Sequence, residues 1–345
     1  MDVIDRKRRQ LAASAAWAVC GMGLNASASG QTSEAKPDVK SADPAVMVLT
    51  DPKTKRRVKL RARLPEGSGK AGLIIYSPGL GSGVSNGAAW CESWRRAGFI
   101  VVTLAHPVTD DSIWTVPSGK TFKTNINEAI AGPQYGLRVA DCRFAIDYCL
   151  EKAVFAQRID AERIGLAGHS FGALTAQSIA GQAGAGQSSR DARVRAVIAL
   201  SPTAISAERA QSLKGINIPF LCVTGTHDQY VTFKKDGEAV RLGVSLTQRE
   251  LVFDYLPAGQ KIQLKLDLAD HMSFAGESVD SQRFSRDVSV TDKSNAKIWD
   301  CVSATTSLFW QFYLDGPRQS GIETRDALEQ QMRKLISTSD QLKFG

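Results

Sequence analysis

The stretch Gly168-His169-Ser170-Phe171-Gly172 has residue types and spacing that could do chemistry. A serine hydroxyl is a weak nucleophile until a base takes its proton; with a base and a pair of oxyanion-binding N–H groups it transfers acyl groups. The pentapeptide is short and its residues are common, so its surroundings carry the weight. The apolar run Ile164-Gly165-Leu166-Ala167 leads into it, and the helix-forming run Ala173-Leu174-Thr175-Ala176 leads out. This pattern predicts the strand–turn–helix of a nucleophile elbow. There, Gly168 and Gly172 let strand and helix approach, and the helix N-terminus turns N–H groups toward a developing negative charge. The plain alternative is an ordinary turn with a capping serine.

A serine on such an elbow is followed along the chain first by the acid and then by the base. The chain has four histidines, His106, His169, His227 and His271. The first two precede Ser170, and His227 adjoins Asp228. Only His271 follows both a later strand-like run and a candidate acid, which makes it the expected base. Asp228 ends Gly225-Thr226-His227-Asp228, directly after the strand-like run 219–224, and is the expected acid. Asp267 and Asp270 lie too near His271 to approach it from another loop, and read as strand-end solvation. One oxyanion donor is the N–H of Phe171. The other is expected from the loop Ser77-Pro78-Gly79-Leu80-Gly81-Ser82-Gly83, at Leu80. That loop lacks the G-x-x-x-x-G-K-[ST] pattern of a phosphate cradle. Chemistry of this kind needs no metal and no organic cofactor.

The elements that must position these residues are short apolar runs separated by helical patterns. Residues 72–77, 99–104, 164–167, 194–200, 219–224 and 262–268 read as strands, most of them buried on both faces. Residues 88–97, 134–152, 171–182 and 297–314 repeat apolar side chains at helical spacing. The alternation predicts a mostly parallel sheet covered on both faces. Ahead of it, residues 45–64 read as an antiparallel N-terminal hairpin around Asp51-Pro52-Lys53. The domain is expected over residues 45–315, with a weaker tail over 316–345 holding one polar helix at 324–336. Two long polar stretches, 110–132 and 272–296, read as loops. The first could cover the acyl pocket, with Trp114 as a substrate contact.

The 345 residues carry 43 Lys and Arg against 35 Asp and Glu, a net charge of +8. This raises nucleic acid or an anionic surface as partners until the charge is located. The first residues hold part of it. A basic cluster at 5–9, an apolar run at 11–24 and Ala26-Ser27-Ala28 read as a signal peptide over 1–28, with a polar linker over 29–44. The run is too short to span a bilayer, and Arg8-Arg9 fits either general secretion or a twin-arginine route. Export to the periplasm or outside the cell is the expectation. Lys53, Lys55, Arg56, Arg57, Lys59, Arg61 and Arg63 account for all of the remaining excess. From Val58 to Leu64 the charges alternate with apolar residues. They read as the solvent face of a strand that discourages edge-to-edge aggregation, with at most weak attraction to an anionic envelope and no nucleic-acid partner.

Taken together, YSPGLGSG, AGFIVVTLAHP, GHSFG, VTGTHD and DHMSF, in this order at strand ends, resemble the α/β-hydrolase superfamily from about Val46 to Leu314. The chain is similar to the branch of dienelactone-hydrolase-like proteins, platelet-activating-factor acetylhydrolases and cutinase-like polyester hydrolases. Ser170 stands where dienelactone hydrolases carry cysteine, and Pro78-Gly79 looks more like the polyester hydrolases. The loop Ser201–Ser206 offers no carboxylate where the acetylhydrolases place their acid. The resemblance implies the α/β-hydrolase fold. It also implies hydrolysis of small or polymeric carboxylic esters through Ser170, His271 and Asp228, with Leu80 and Phe171 holding the oxyanion. Short-chain esters lead, a polyester or lipid ester is the alternative, and an inactive binding protein is the reading of another class. The implied fold puts the helices bearing Cys91 and Cys301 on one side of the sheet, where a disulfide could join them.

Overall fold

A computed structural model describes residues 46–184, 187–286, 292–316 and 320–345. The expected signal peptide and linker lie outside the described residues. The strands are β1 (Val46–Thr50), β2 (Arg57–Arg63), β3 (Ala71–Ser77), β4 (Ile100–Ala105), β5 (Ile159–His169), β6 (Val194–Leu200) and β7 (Phe220–His227). They continue with β8 (Tyr230–Lys235), β9 (Glu238–Gly243), β10 (Lys261–Asp270), β11 (Phe284–Arg286) and β12 (Gln341–Phe344). The longer helices are α1 (Ala88–Arg96), α2 (Phe122–Ala129), α3 (Gly132–Glu151), α4 (Phe171–Ala180), α5 (Leu246–Tyr255), α6 (Asp292–Trp310) and α7 (Arg325–Arg333).

Nine strands form one sheet in the order β1-β2-β4-β3-β5-β6-β7-β10-β12. The strands from β4 to β10 run parallel; β1, β2 and β12 pair antiparallel at the two ends. Helices cover both faces, which is why the inner strands are apolar on both sides. On one face α3, α4 and α5 pack Val139, Ile146, Ala176 and Val252 against Leu73, Leu166 and Val197. On the other, α1, α6 and α7 bring Trp90, Trp94, Phe309, Trp310 and Met332 against Ile74, Val101 and Leu264. Burial of each Val, Leu, Ile, Phe or Met among them stabilises the fold by about 1.5–3 kcal/mol. The order places β5, the strand that delivers Ser170, in the middle of the sheet.

Three expectations need correcting. The tail is not a weak appendage. Past α7, β12 pairs antiparallel with β10 and closes the sheet at its far edge, with Leu342 facing the core. The stretch 110–132 is not a loop. A 3-10 turn at Asp111–Trp114 and α2 bury Ile113, Trp114, Phe122, Ile126 and Ala129. The spacing of Phe122, Ile126 and Ala129 is itself helical, and the polar residues between them hide it. Finally, the basic side chains of β2, and Arg56 just ahead of it, are more than a solvent face. Arg56 forks onto the buried carboxylate of Asp141 at 2.8 Å, buried Arg63 donates to Thr103 Oγ1 at 2.9 Å, and Lys59 lies 3.3 Å from Asp111. β2 lies between β1 and β4, so β1 is the edge strand.

The region between Asp228 and β10 holds elements that the sequence reading passed over. β8 and β9 form a hairpin around Asp236-Gly237, both at positive φ, and β11 extends it to a three-stranded sheet. Val231 and Phe233 of this small sheet pack with Trp114, Phe122 and Ile126. Cys91, Cys142, Cys149, Cys222 and Cys301 are all free thiols, so Cys91 and Cys301 are not bridged.

Candidate active site

Ser170 follows the last residue of β5 and has φ 55° and ψ −114°, a strained conformation for a residue with a side chain. The flanking glycines explain how the turn closes. A Cβ on Gly168 would lie 2.3 Å from the Gly172 carbonyl oxygen, and one on Gly172 would lie 1.8 Å from the Ser77 carbonyl oxygen. No side chain fits at either position, so the serine is lifted clear at the C-terminal end of the central strand.

His271 Nε2 lies 2.9 Å from Ser170 Oγ, and His271 Nδ1 lies 2.9 Å from Asp228 Oδ1. Three loops from three strands converge here. Asp228 directly follows β7, and its Oδ2 accepts from Thr224 Oγ1 at 2.9 Å. His271 opens a 3-10 turn that Asp270 caps, accepting from the Ser273 N–H at 2.8 Å. Asp267, the other carboxylate near His271 in sequence, accepts from Thr226 Oγ1 at 3.2 Å.

Asp228 is fully buried. Burial works to raise its pKa, but the Arg249 guanidinium and the His271 bond outweigh it and hold the carboxyl well below the usual range. An ionised Asp228 selects the imidazole tautomer with Nδ1–H directed at the acid. Nε2 is then left to accept the serine's proton.

Arg249, on α5, was missed at the sequence level. Its Nη2 lies 3.0 Å from His271 Nδ1, its Nε donates to the Asp228 carbonyl at 3.1 Å, and its Nη1 donates to the Ser201 carbonyl at 2.8 Å and to Thr203 Oγ1. Only the capping box at Ser245 and Gln248 marks that helix in the sequence; nothing local marks the arginine.

The remaining histidines take other places. His169 Nε2 donates to the His271 carbonyl at 3.0 Å, and burial with His271 nearby lowers its pKa to about 3, so it stays neutral. His227 Nδ1 lies 3.2 Å from Thr226 Oγ1. His106 is buried behind the loop that bears Leu80, in contact with Ser77 and Asp141.

Leu80, Phe171, Ser170 and His271 line one cavity of about 180 Å³. Among the described residues, neither the Leu80 nor the Phe171 N–H donates to another protein group. Ile130, Leu174, Val231 and Leu242 make the rest of its wall largely apolar. Trp114 is not among the lining residues, contrary to expectation. Its ring stacks between Phe122 and Phe233, at 5.5 and 5.9 Å, and its indole N–H donates to the Gly81 carbonyl at 2.9 Å. It is therefore a packing residue behind the loop. Among the described residues no group of three or more His, Cys, Asp or Glu could hold a metal ion.

This sheet order, with the elbow after β5 and loops from β7 and β10 meeting it, is the α/β-hydrolase fold. Among solved structures, the dienelactone hydrolase from Anabaena variabilis ATCC 29413 matches with a TM-score of 0.51 and 14% sequence identity. The match covers 79% of this chain and 99% of that one. No family model matches the chain, and no curated protein matches it.

Proposed function

We propose that the protein is a serine hydrolase that cleaves short-chain carboxylic esters. The observation that carries this reading is the hydrogen-bonded chain Ser170–His271–Asp228, set on a strained elbow and opening into an apolar cavity. In the proposed reaction His271 Nε2 takes the Ser170 proton as Oγ attacks the ester carbonyl carbon. The Leu80 and Phe171 N–H groups donate to the oxyanion, and Asp228 steadies the imidazolium. The imidazolium then protonates the departing alkoxide, leaving an acyl-serine. Water enters, gives its proton to Nε2, and releases the acid.

The small apolar cavity supports a short neutral acyl group over a long one. A polyester chain would need an extended groove around it. Hydrolysis of p-nitrophenyl esters of graded acyl length tests the proposal. Turnover should peak at short chains and vanish in Ser170→Ala; equal turnover in that variant would sink the assignment. Residues 1–28 support export as part of the same proposal. Cell fractionation with N-terminal sequencing checks it: a cytoplasmic protein keeping its first 28 residues would refute export.

A further inference from the structure

Beneath the loop that bears Leu80 lies Arg138, a fully buried guanidinium on α3. Its hydrogen bonds among the described residues all go to neutral groups. Nη2 donates to the Pro78 carbonyl at 2.5 Å and to Ser77 Oγ at 3.1 Å. Nη1 donates to Thr109 Oγ1 at 2.6 Å, and Nε donates to Thr175 Oγ1 at 3.2 Å. The guanidinium carbon sits 4.5 Å from the centre of the Phe171 ring. The nearest buried carboxylate on the same helix, Asp141, is engaged by Arg56 and His106.

These contacts bracket both expected oxyanion donors. On one side of Leu80, Arg138 binds the Pro78 carbonyl directly. On the other, the Gly81 N–H donates to the carbonyl of Thr109, whose hydroxyl Arg138 holds. Phe171, the second donor, lies under the same cation through its ring. The hydroxyls behind Arg138 have one consistent orientation. Ser77 Oγ accepts from Arg138 and so directs its own proton at His106 Nε2, 2.9 Å away; His106 Nδ1–H then donates to Asp141 at 3.0 Å. Burial lowers the His106 pKa to about 4 and keeps the ring in that neutral form. Burial also pulls Arg138 down to about 10, which leaves it a cation at neutral pH.

We infer that Arg138 is the positioning residue of the oxyanion hole, fixing the Leu80 and Phe171 N–H groups from beneath through Pro78, Thr109 and the Phe171 ring. The inference rests on the serine-hydrolase reading above. A buried cation is costly to desolvate, and here it is spent on backbone and hydroxyl groups of the two segments that must not drift.

The test compares the full-length wild type with Arg138→Met, Arg138→Lys and Thr109→Val. Active sites are counted by a fluorophosphonate, so that kcat refers to folded enzyme. Losing one oxyanion donor costs about 10²–10³ in kcat; a donor left unpinned should cost less. Arg138→Met is expected to lose about 10–100-fold in kcat with KM within about threefold, and to lose affinity for a trifluoromethyl ketone in parallel. Arg138→Lys keeps the charge but not the fork and should fall between. Thr109→Val guards against a variant that cannot fold, with an expected loss of several-fold in kcat.

Unchanged kcat per labelled site in Arg138→Lys and Thr109→Val, with only a lower Tm, would overturn the inference and leave a merely structural arginine. A kcat loss without the matching loss of ketone affinity would overturn it as well. The underlying reading fails separately: a wild type that neither takes the fluorophosphonate nor turns over esters removes both.

Discussion

The molecule contains two Ser–His–Asp chains of nearly the same dimensions. In one, Ser170, His271 and Asp228 are linked at 2.9 and 2.9 Å; in the other, Ser77, His106 and Asp141 are linked at 2.9 and 3.0 Å. Hydrogen-bond lengths do not separate them. Surroundings do. Ser77 ends a regular strand, is wholly buried and spends its hydroxyl between Arg138 and His106. Ser170 has a left-handed φ, faces a cavity and has two N–H groups beside it without protein partners among the described residues. A nucleophile needs room for a carbonyl and donors for the charge that develops on it; a relayed proton alone supplies neither. The buried chain reads as a strut, the open one as a reaction site.

The largest expected contrast lies in the two serines. Ser170→Ala should cost on the order of 10⁴–10⁶ in kcat, whereas Ser77→Ala should stay within about tenfold, since it removes one strut of the oxyanion loop and no reacting atom. Ester kinetics on both variants decides, and a reversed order would break the comparison.

Next come the two acids. Asp228→Asn should lower kcat by about 10⁴ through loss of the required tautomer. Asp141→Asn should chiefly lower stability, by about 3–5 kcal/mol, because Arg56 loses a buried partner. Chemical unfolding alongside kcat per active site measures both. If Asp141→Asn abolished turnover in folded protein, the strut would have to be counted as part of the reaction site.

The histidines sharpen the contrast through pH. His106 and His169 have pKa values lowered to about 4 and about 3 by burial. The unfolded chain therefore binds protons that the folded one refuses. Their stabilisation is whole above about pH 6.5 and is lost as pH falls toward those values, by on the order of 3 kcal/mol for His106. Tm should drop steadily between pH 6.5 and 4, with a shallower slope in His106→Gln. An unchanged slope in that variant would mean that His106 carries no refused proton.

The smallest effect concerns the thiols. Burial raises Cys91 to about 11 and Cys142, Cys149 and Cys301 to about 12. The Tm of the wild type, and of variants with Cys91 or Cys301 replaced by serine, should be the same under reducing and oxidising conditions, since no bridge joins the two thiols. A Tm that fell on reduction of the wild type would contradict that.

Much of the frame was readable because its signals are local. A glycine two residues either side of Ser170, an apolar run before it and a helix after it are all set by neighbours within one turn. Chain order then reduced four histidines to one candidate base, and the structure brings Ser170, Asp228 and His271 together. Other local signals were passed over. Asp236-Gly237 between Tyr230–Lys235 and Glu238–Gly243 is a hairpin turn of the kind that alternating residues and Asp-Gly announce.

The sequence by itself determined the periods of the elements, the glycine elbow, and the order in which serine, acid and base occur. Only the tertiary structure decided which charges are buried and against what. Arg138 and Arg249 sit 32 residues before and 79 after Ser170 on helices whose patterns do not distinguish them from solvated arginines. The same holds for β12, whose four residues join the sheet because β10 presents an open edge. Trp114 differs in kind: its residue type suggested a substrate contact, and packing against Phe122 and Phe233 took it away. Local propensity acts over a turn of helix or a pair of strands. Desolvation and partner choice are settled between segments far apart in the chain, and no spacing records them.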